Sequence, residues 1–325
     1  MNVLVTGGAG FIGSHIASYH LEKGDNVFVV DNLSTGSINN IEPLLNNPAF
    51  NFYEADILVW DQLKSVISRM DRIYHMAAIV GVKKVLKDPQ AVMAINIAAT
   101  ERVFRAVAEV RPEAQVTIAS SSEVYGFNTN EGFSETDDIV LRSGARLRWC
   151  YAVTKLADEF LAYSFMYQSG IKVVIVRLFN TVGPRQVGTY GMVVPTFVHQ
   201  AVNNLPVTVY GDGLQTRSFC DVRDTVVALD LLSSTPSANG EIVNVGNNEE
   251  ISILDLAGLI VKRAGSSSPI TFLSYKEAYG MEMDDQTHRR PVLDKLHSLT
   301  GFKTKWTLYQ TIDDLIALER KRNRT

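Results

Sequence analysis

Cysteine is nearly missing from this chain. Cys150 and Cys220 are the only two in 325 residues, too few for a disulfide scaffold, and no Cys/His spacing fits a zinc site. Positive charge is not in excess: 31 Lys and Arg against 35 Asp and Glu leave a formal net charge of -4 and a pI near 5.9. That balance argues against a partner bound through a phosphate backbone, which calls for a basic face. No apolar run approaches the roughly 20 residues of a membrane span, and the opening MNVLVTGG lacks the charged start and apolar core of a signal peptide. The expectation is a soluble, cytoplasmic protein that binds no metal, no nucleic acid and no membrane. Repeats and low-complexity tracts are missing too. What remains is the make-up of an ordinary globular protein, 46% hydrophobic and 20% charged, long enough for one large α/β domain or two smaller ones.

Short runs rich in Val, Ile and Phe alternate with helical patterns. Asn2 to Thr6, Asn26 to Asp31, Arg72 to His75, Gln115 to Ser120 and Lys172 to Leu178 read as strands. Between them Gly13 to Gly24, Pro89 to Glu109 and Ala152 to Tyr167 carry apolar residues at threes and fours. The pattern predicts an α/β fold, a doubly wound parallel sheet of Rossmann type with helices on both faces. After Leu178 turn residues crowd the chain, with Gly183, Pro184, Gly188, Gly191 and Pro195 in one stretch. A smaller, mostly helical substrate lobe is expected there: residues 1–179 form the first domain, 218–248 return to it, and 180–217 with 249–325 make the lobe.

The first strand runs into Gly7-Gly8-Ala9-Gly10-Phe11-Ile12-Gly13, and a helix follows at once. Glycines let the backbone turn sharply and approach a pyrophosphate, which then meets the positive end of the helix. The second strand ends on Asp31, where a carboxylate can accept both hydroxyls of an adenosine ribose and repels a 2'-phosphate, so NAD is favoured over NADP. Asp56 and Ile57, after the third strand, are placed to meet the adenine. Without a ligand the glycines would be a tight turn, Asp31 a helix cap and Asp56 a turn former. Tyr151 and Lys155 stand four apart at the start of a helix and so share a face. An ammonium at that spacing, with a cationic nicotinamide, favours the phenolate of a tyrosine whose ordinary pKa is about 10. Alone, the pair would read as a solvated helix face. Cys150 has no neighbouring base and reads as a buried small residue, and Tyr125 as packing.

Five motifs occur in register: Thr6 to Gly13, His75-Met76-Ala77-Ala78, Ser120-Ser121-Ser122-Glu123-Val124-Tyr125-Gly126, Tyr151-Ala152-Val153-Thr154-Lys155 and Arg177-Leu178-Phe179-Asn180. Together they resemble the extended short-chain dehydrogenases/reductases that epimerise, dehydrate or decarboxylate nucleotide sugars. The resemblance covers almost the whole chain. It implies NAD held by Gly7, Gly10, Phe11, Ile12, Gly13, Asp31, Asn32, Asp56, Ile57, Ala77, Ala78, Asn96, Tyr151 and Lys155. It implies Tyr151 as base, Lys155 on the nicotinamide ribose, Ser121 on the reacting hydroxyl, and a homodimer through the helices containing residues 91 to 109 and 152 to 167. For the nucleotide sugar, taken as UDP-linked, it implies Ser122, Asn180, the Tyr190 to Phe197 segment with Val194, Val209 and Tyr210 near the base, Arg217 on the diphosphate, and Arg289 as a further cation.

All three reactions pass through a 4-keto sugar. Glu123 bears on the outcome, because simple 4-epimerases usually have a small or hydroxyl residue there, while the resembling decarboxylases and dehydratases carry Glu. The dehydratases also place Asp just before it, where this chain has Ser122. Arg148-Trp149-Cys150-Tyr151 and His288-Arg289-Arg290-Pro291 resemble UDP-glucuronate decarboxylases, whereas Leu178 to Gln186 is shared widely. Glu123 could equally be a carboxylate that only holds a neighbouring loop. The resemblance puts an NAD-dependent UDP-sugar 4-epimerase first and UDP-glucuronate decarboxylase second. A 4,6-dehydratase or a non-catalytic NAD-binding sensor comes after these, and the intact Tyr151, Lys155 and Ser121 count against the sensor.

Overall fold

A computed structural model describes residues 1–141, 147–188, 191–280 and 286–323. The strands are β1 (Asn2–Thr6), β2 (Asn26–Asp31), β3 (Phe50–Glu54), β4 (Arg72–His75), β5 (Gln115–Ser121), β6 (Lys172–Leu178), β7 (Thr181–Val182), β8 (Val207–Tyr210), β9 (Thr216–Ser218), β10 (Cys220–Asp221), β11 (Ile242–Val245), β12 (Glu250–Ser252) and β13 (Ile270–Leu273). The helices are α1 (Phe11–Glu22), α2 (Leu63–Ile67), α3 (Val82–Lys87), α4 (Pro89–Val110), α5 (Cys150–Ser169), α6 (Val193–Val202), α7 (Val222–Ser234), α8 (Ile253–Arg263), α9 (Tyr275–Tyr279), α10 (Asp294–Thr300) and α11 (Leu308–Arg322). None of the described helices is long and apolar enough to cross a membrane.

Seven parallel strands form the central sheet in the order β11-β6-β5-β4-β1-β2-β3. Strand alternation decides which side chain meets which helix layer. Val3 and Val5 of β1 and Val174 and Val176 of β6 face a core shared with α1, α7 and α10. Leu4, Val173 and Ile175, the intervening residues, face the opposite core with α2, α4 and α5. The chain leaves β1 toward β2 and β3, then returns to β4 on the other side. This reversal opens a crevice at the strands' carboxyl ends, where ligands bind in open α/β sheets.

A second core gathers Val194, Phe197 and Val198 of α6, Val207 and Val209 of β8, Leu256 and Ile260 of α8, and Ile312 and Ile316 of α11. This part is less helical than the sequence led us to expect. It includes three two-stranded ladders, β7 with β10, β8 with β13 and β9 with β12. Strands of two to four residues are too short to leave a periodic signal. The segment from β11 back through α7 packs on the main sheet, with β11 paired to β6.

Candidate active site

The glycine turn between β1 and α1 is built for close approach. Gly7 has φ +68, and a Cβ there would lie 2.8 Å from the backbone of Ala77. A Cβ on Gly13 would run into Gly7 O and Gly8 Cα. Gly10 caps α1 without any side chain, so the first N–H groups of the helix have no capping partner from its own residue. Asp31 stands at the end of β2, its Oδ2 accepting from Ala9 N at 3.0 Å and its Oδ1 from Leu33 N at 2.8 Å. Burial raises its pKa, and the backbone N–H groups of Leu33, Ala9 and Gly10 pull it back. Asn32 Nδ2 reaches Asp56 Oδ2 at 3.4 Å, so those two side chains meet beside the same strand ends. Ile57 turns its side chain into the core with Trp60 and Leu63. The small-residue cradle, the helix end and the carboxylate together match the donor set a dinucleotide needs.

Asn96 is fully engaged. It bonds both backbone groups of Ile79, at 2.8 and 3.2 Å, and Thr154 Oγ1 at 3.2 Å. It therefore holds the loop after Ala77 and Ala78 against α5. A hydrogen-bond chain runs beneath. Ala77 N donates to Thr6 Oγ1 at 3.2 Å, Thr6 Oγ1 meets His75 Nδ1 at 2.7 Å, and His75 Nε2 meets Thr100 Oγ1 at 3.2 Å. Burial, aided by the Lys155 charge, pushes His75 down to about 3, so the ring is neutral and can accept on one nitrogen while donating from the other.

Tyr151 and Lys155 lie in the first turns of α5. The helix is pinned to the sheet by Glu159, which takes two bonds from Arg177, at 2.9 and 2.8 Å, and one from Ser120 at 2.5 Å. Arg177 also lies over the ring of the buried Tyr125, whose hydroxyl donates to Asn244 at 2.7 Å. Tyr125 is packing, as its position suggests. The Ser121 hydroxyl stands close enough to the Tyr151 phenol to favour its ionised form. Burial raises the phenol's pKa above the ordinary value; Lys155 lowers it, and the Glu123 and Asp158 carboxylates raise it again. Lys155 is 3% exposed and donates to Asp158 Oδ2 at 3.1 Å. Burial alone would depress its ammonium, but Asp158 and Tyr151 reverse this and raise it. Cys150 is not buried: it opens α5 and is partly exposed beside Tyr151.

Ser121, Ser122, Glu123 and Tyr151 face a cavity of about 770 Å³ that Asn180, Val194, Tyr210, Arg217 and Arg289 also line. Its size lies within the range of small-molecule sites. Glu123 follows β5 in a short turn capped by the Ser121 hydroxyl. Its carboxylate is paired with Arg289, and Arg148 Nη2 lies 3.8 Å from its other oxygen. Arg289 also donates to Asn180 Oδ1 at 3.1 Å, and Asn180 in turn donates to Ser218 O at 2.9 Å.

One expected substrate residue is placed otherwise, and a second is held by backbone carbonyls. Val209 points into the second core, because alternation along β8 sends Thr208 and Tyr210 to the cavity instead. Arg217 lines the cavity, yet its Nη1 donates to the carbonyls of Thr216 and Gln286 at 2.7 and 2.9 Å. Tyr190 lies outside the described residues. Sequence reasoning did not single out Arg185, which lines the cavity with φ +68 and donates to Ser18 Oγ at 3.2 Å, nor Arg148 as a site residue, nor Asp158. Only Arg148 had a signal, its place two residues ahead of Cys150 in the Arg-Trp-Cys-Tyr run. Among the described residues no cluster of His, Cys, Asp and Glu could hold a metal ion.

The family model of the "NAD dependent epimerase/dehydratase family" matches residues 3–246. The UDP-N-acetyl-alpha-D-glucosaminuronate decarboxylase of Bacillus cytotoxicus is 34% identical over 314 residues, 96% of each chain. The UDP-glucuronic acid decarboxylase 1 of Xenopus tropicalis is 32% identical over 98% of this chain and 72% of its own. Among solved structures, the UDP-glucuronic acid 4-epimerase from Bacillus cereus in complex with UDP-glucuronic acid and NAD superposes with a TM-score of 0.89. It is 29% identical, with 99% of this chain and 100% of that one covered.

Proposed function

This chain belongs to the NAD dependent epimerase/dehydratase family, and from that premise we propose that it decarboxylates a UDP-linked hexuronate by way of a 4-keto sugar. Gly7, Gly10, Gly13, Asp31 and Lys155 are the residues that would hold NAD, which would supply the hydride acceptor and donor for sugar C4. Tyr151, as phenolate, takes the proton from the C4 hydroxyl, with the Ser121 hydroxyl bonded to the same oxygen. The carboxylate on C5 is then β to a ketone. Its bond to C5 breaks, the electron pair enters an enolate, carbon dioxide leaves, and C5 takes up a proton. Tyr151 gives its proton back when C4 is reduced. The sum is one hexuronate and one proton in, one pentose and one carbon dioxide out.

The observation that carries this reading is Glu123, held between Arg289 and Arg148 on the same cavity wall as Tyr151. A 4-epimerase returns every atom to the sugar and needs no acid beyond Tyr151. A decarboxylase must bring a proton to C5, and Glu123, the lining carboxylate whose charge acts on Tyr151, can hand on a proton taken from solvent; Glu319, the other carboxyl among the described lining residues, pairs with His199. It must also avoid stabilising the sugar's carboxylate before it leaves. Guanidiniums already engaged by Glu123 stabilise that ground state less, so less binding energy opposes the bond cleavage. Decarboxylases at 32–34% identity add weight. The second reading, 4-epimerisation of the same sugar, rests on the similarity to the Bacillus cereus enzyme and on Glu123 as a mere loop-holding group.

We assign the nucleotide to the cavity beside the second core, with Asn180, Arg185, Arg217 and Tyr210 around the diphosphate and base. We further propose a dimer through α4 and α5, because Phe160, Tyr163 and Tyr167 leave an apolar stripe on α5 that is 67%, 41% and 92% exposed. Sedimentation should give a dimer, and Tyr167→Glu with Phe160→Glu a monomer. The test of function is to incubate the protein and NAD with UDP-glucuronate, UDP-N-acetylglucosaminuronate and UDP-glucose separately and weigh the products. A product lighter by one carbon dioxide from a hexuronate is expected. An unchanged mass with a new sugar peak would establish the epimerase instead.

A further inference from the structure

Lys155 does not stand alone behind Tyr151. One turn farther along α5, Asp158 is 1% exposed, and its Oδ2 lies 3.1 Å from Lys155 Nζ. Its Oδ1 has no hydrogen-bond partner among the described residues. The Thr100 hydroxyl stands close enough to help keep the carboxyl ionised but donates to Asn96 O at 3.2 Å. A buried carboxylate with one oxygen unbonded is an expensive arrangement, and structure alone does not call for it, since an apolar side chain would fill the same space at lower cost. The charges around it are few. Lys155, Tyr151 and Glu159 face it from its own helix, and Glu159 is neutralised by Arg177 from β6. From α4 comes Thr100, and from β4 the neutral His75, which feels Lys155. Glu123 acts on Tyr151 from beyond β5.

We propose that Asp158 is a positioning residue: its carboxylate fixes the Lys155 ammonium, offsets the field that ammonium exerts on Tyr151, and so sets the pH range over which the base works. This rests on Tyr151 being the base, as decarboxylation and epimerisation both require. Unpaired, the Lys155 charge would act on the phenol in full and pull its ionisation to lower pH. The same ammonium, buried without a carboxylate, would lose its own proton more easily. Removing Asp158 therefore moves both limbs of a bell-shaped profile toward acid, whereas a residue that only fills space would lower activity equally at every pH.

The test is Asp158→Asn, nearly identical in shape, with melting to establish that it folds. Tyrosinate absorbance is titrated in the cofactor-free and NAD-loaded proteins, and the Tyr151→Phe protein is subtracted to isolate the one phenol. Its ionisation should fall by roughly two pH units, the size expected for removing a charge several ångströms away at an effective dielectric near 20. Both limbs of kcat/KM should shift acidward, with kcat changed more than KM. Asp158→Ala, which removes the carboxyl altogether, carries the same expectation. An unmoved titration with uniform loss of activity would overturn the proposal, and so would failure of both variants to fold, which would make Asp158 a folding residue. The absorbance reading needs no substrate, so a wrong sugar or a wrong outcome would surface in the product masses and leave this result standing.

Discussion

Asp31→Ser should erase the preference for NAD over NADP. The Asp31 carboxylate is bound on one side by Ala9 N and Leu33 N at 3.0 and 2.8 Å, which leaves a lone pair on each oxygen for a ribose diol. The loop behind it is tight: a Cβ on Gly36 would lie 2.9 Å from Oδ2. A 2'-phosphate entering there would sit roughly 4 Å from the carboxylate. Two unit charges at that separation repel by about 4 kcal/mol at an effective dielectric near 20. Because a phosphate monoester carries more than one charge, the discrimination should be at least about 10³-fold. The serine variant removes the repulsion and also the charged acceptors, whose bonds to the diol contribute about 1.5–3 kcal/mol each. NAD should therefore weaken at least tenfold while NADP tightens, and the two affinities should come within about tenfold of each other. Calorimetric titration of both proteins with both cofactors measures this. Burial raises the Asp31 pKa, so the wild-type preference should narrow as the pH falls toward the carboxylate range and the charge is lost. A variant that keeps the wild-type ratio would refute the assignment of Asp31 to the adenosine ribose.

Glu123→Gln should slow carbon dioxide release about 10²-fold or more while reduction of bound NAD by substrate persists, since Tyr151 and Ser121 remain; unchanged release would reduce Glu123 to a structural role. Gly13→Ala drives a methyl into Gly7 O and Gly8 Cα, so NAD binding should be lost and stability should fall by about 1–3 kcal/mol, read by calorimetry and denaturant melts. His75 is pushed down to about 3 by burial, so it stays neutral in the fold while the unfolded chain protonates it below about pH 6.5. Stability is then lost as pH falls through that window, by roughly 2 kcal/mol between pH 7 and 5 from this one group. The raised carboxyls Asp31, Asp158 and Asp224 act in the opposite sense, so the check is the difference in pH slope between wild type and His75→Gln, which should retain about that much less acid sensitivity.

How much of this was legible in the sequence depended on how local each signal is. The strands Asn2–Thr6, Asn26–Asp31, Arg72–His75 and Lys172–Leu178 could be delimited correctly because buried parallel strands are short apolar runs closed by turn residues. The Gly7 to Gly13 turn was legible because backbone geometry alone demands those glycines. The face on which Val209 lies was not, since alternation fixes that Thr208 and Tyr210 share a side but not which side meets the cavity. The Glu123–Arg289 pair joins residues 166 apart, and no pattern along the chain announces it. Asp158 is different in kind. It is three residues from Lys155, a spacing that on a helix reads as an ordinary solvated ion pair. Only the burial of both groups changes its meaning, because a charge pair withdrawn from water acts on its neighbours at short range and low dielectric while the same pair at the surface is screened. Burial of that helix face follows from α4 and β5 packing over it, so the fold had to be known before the three-residue spacing could be read as chemistry.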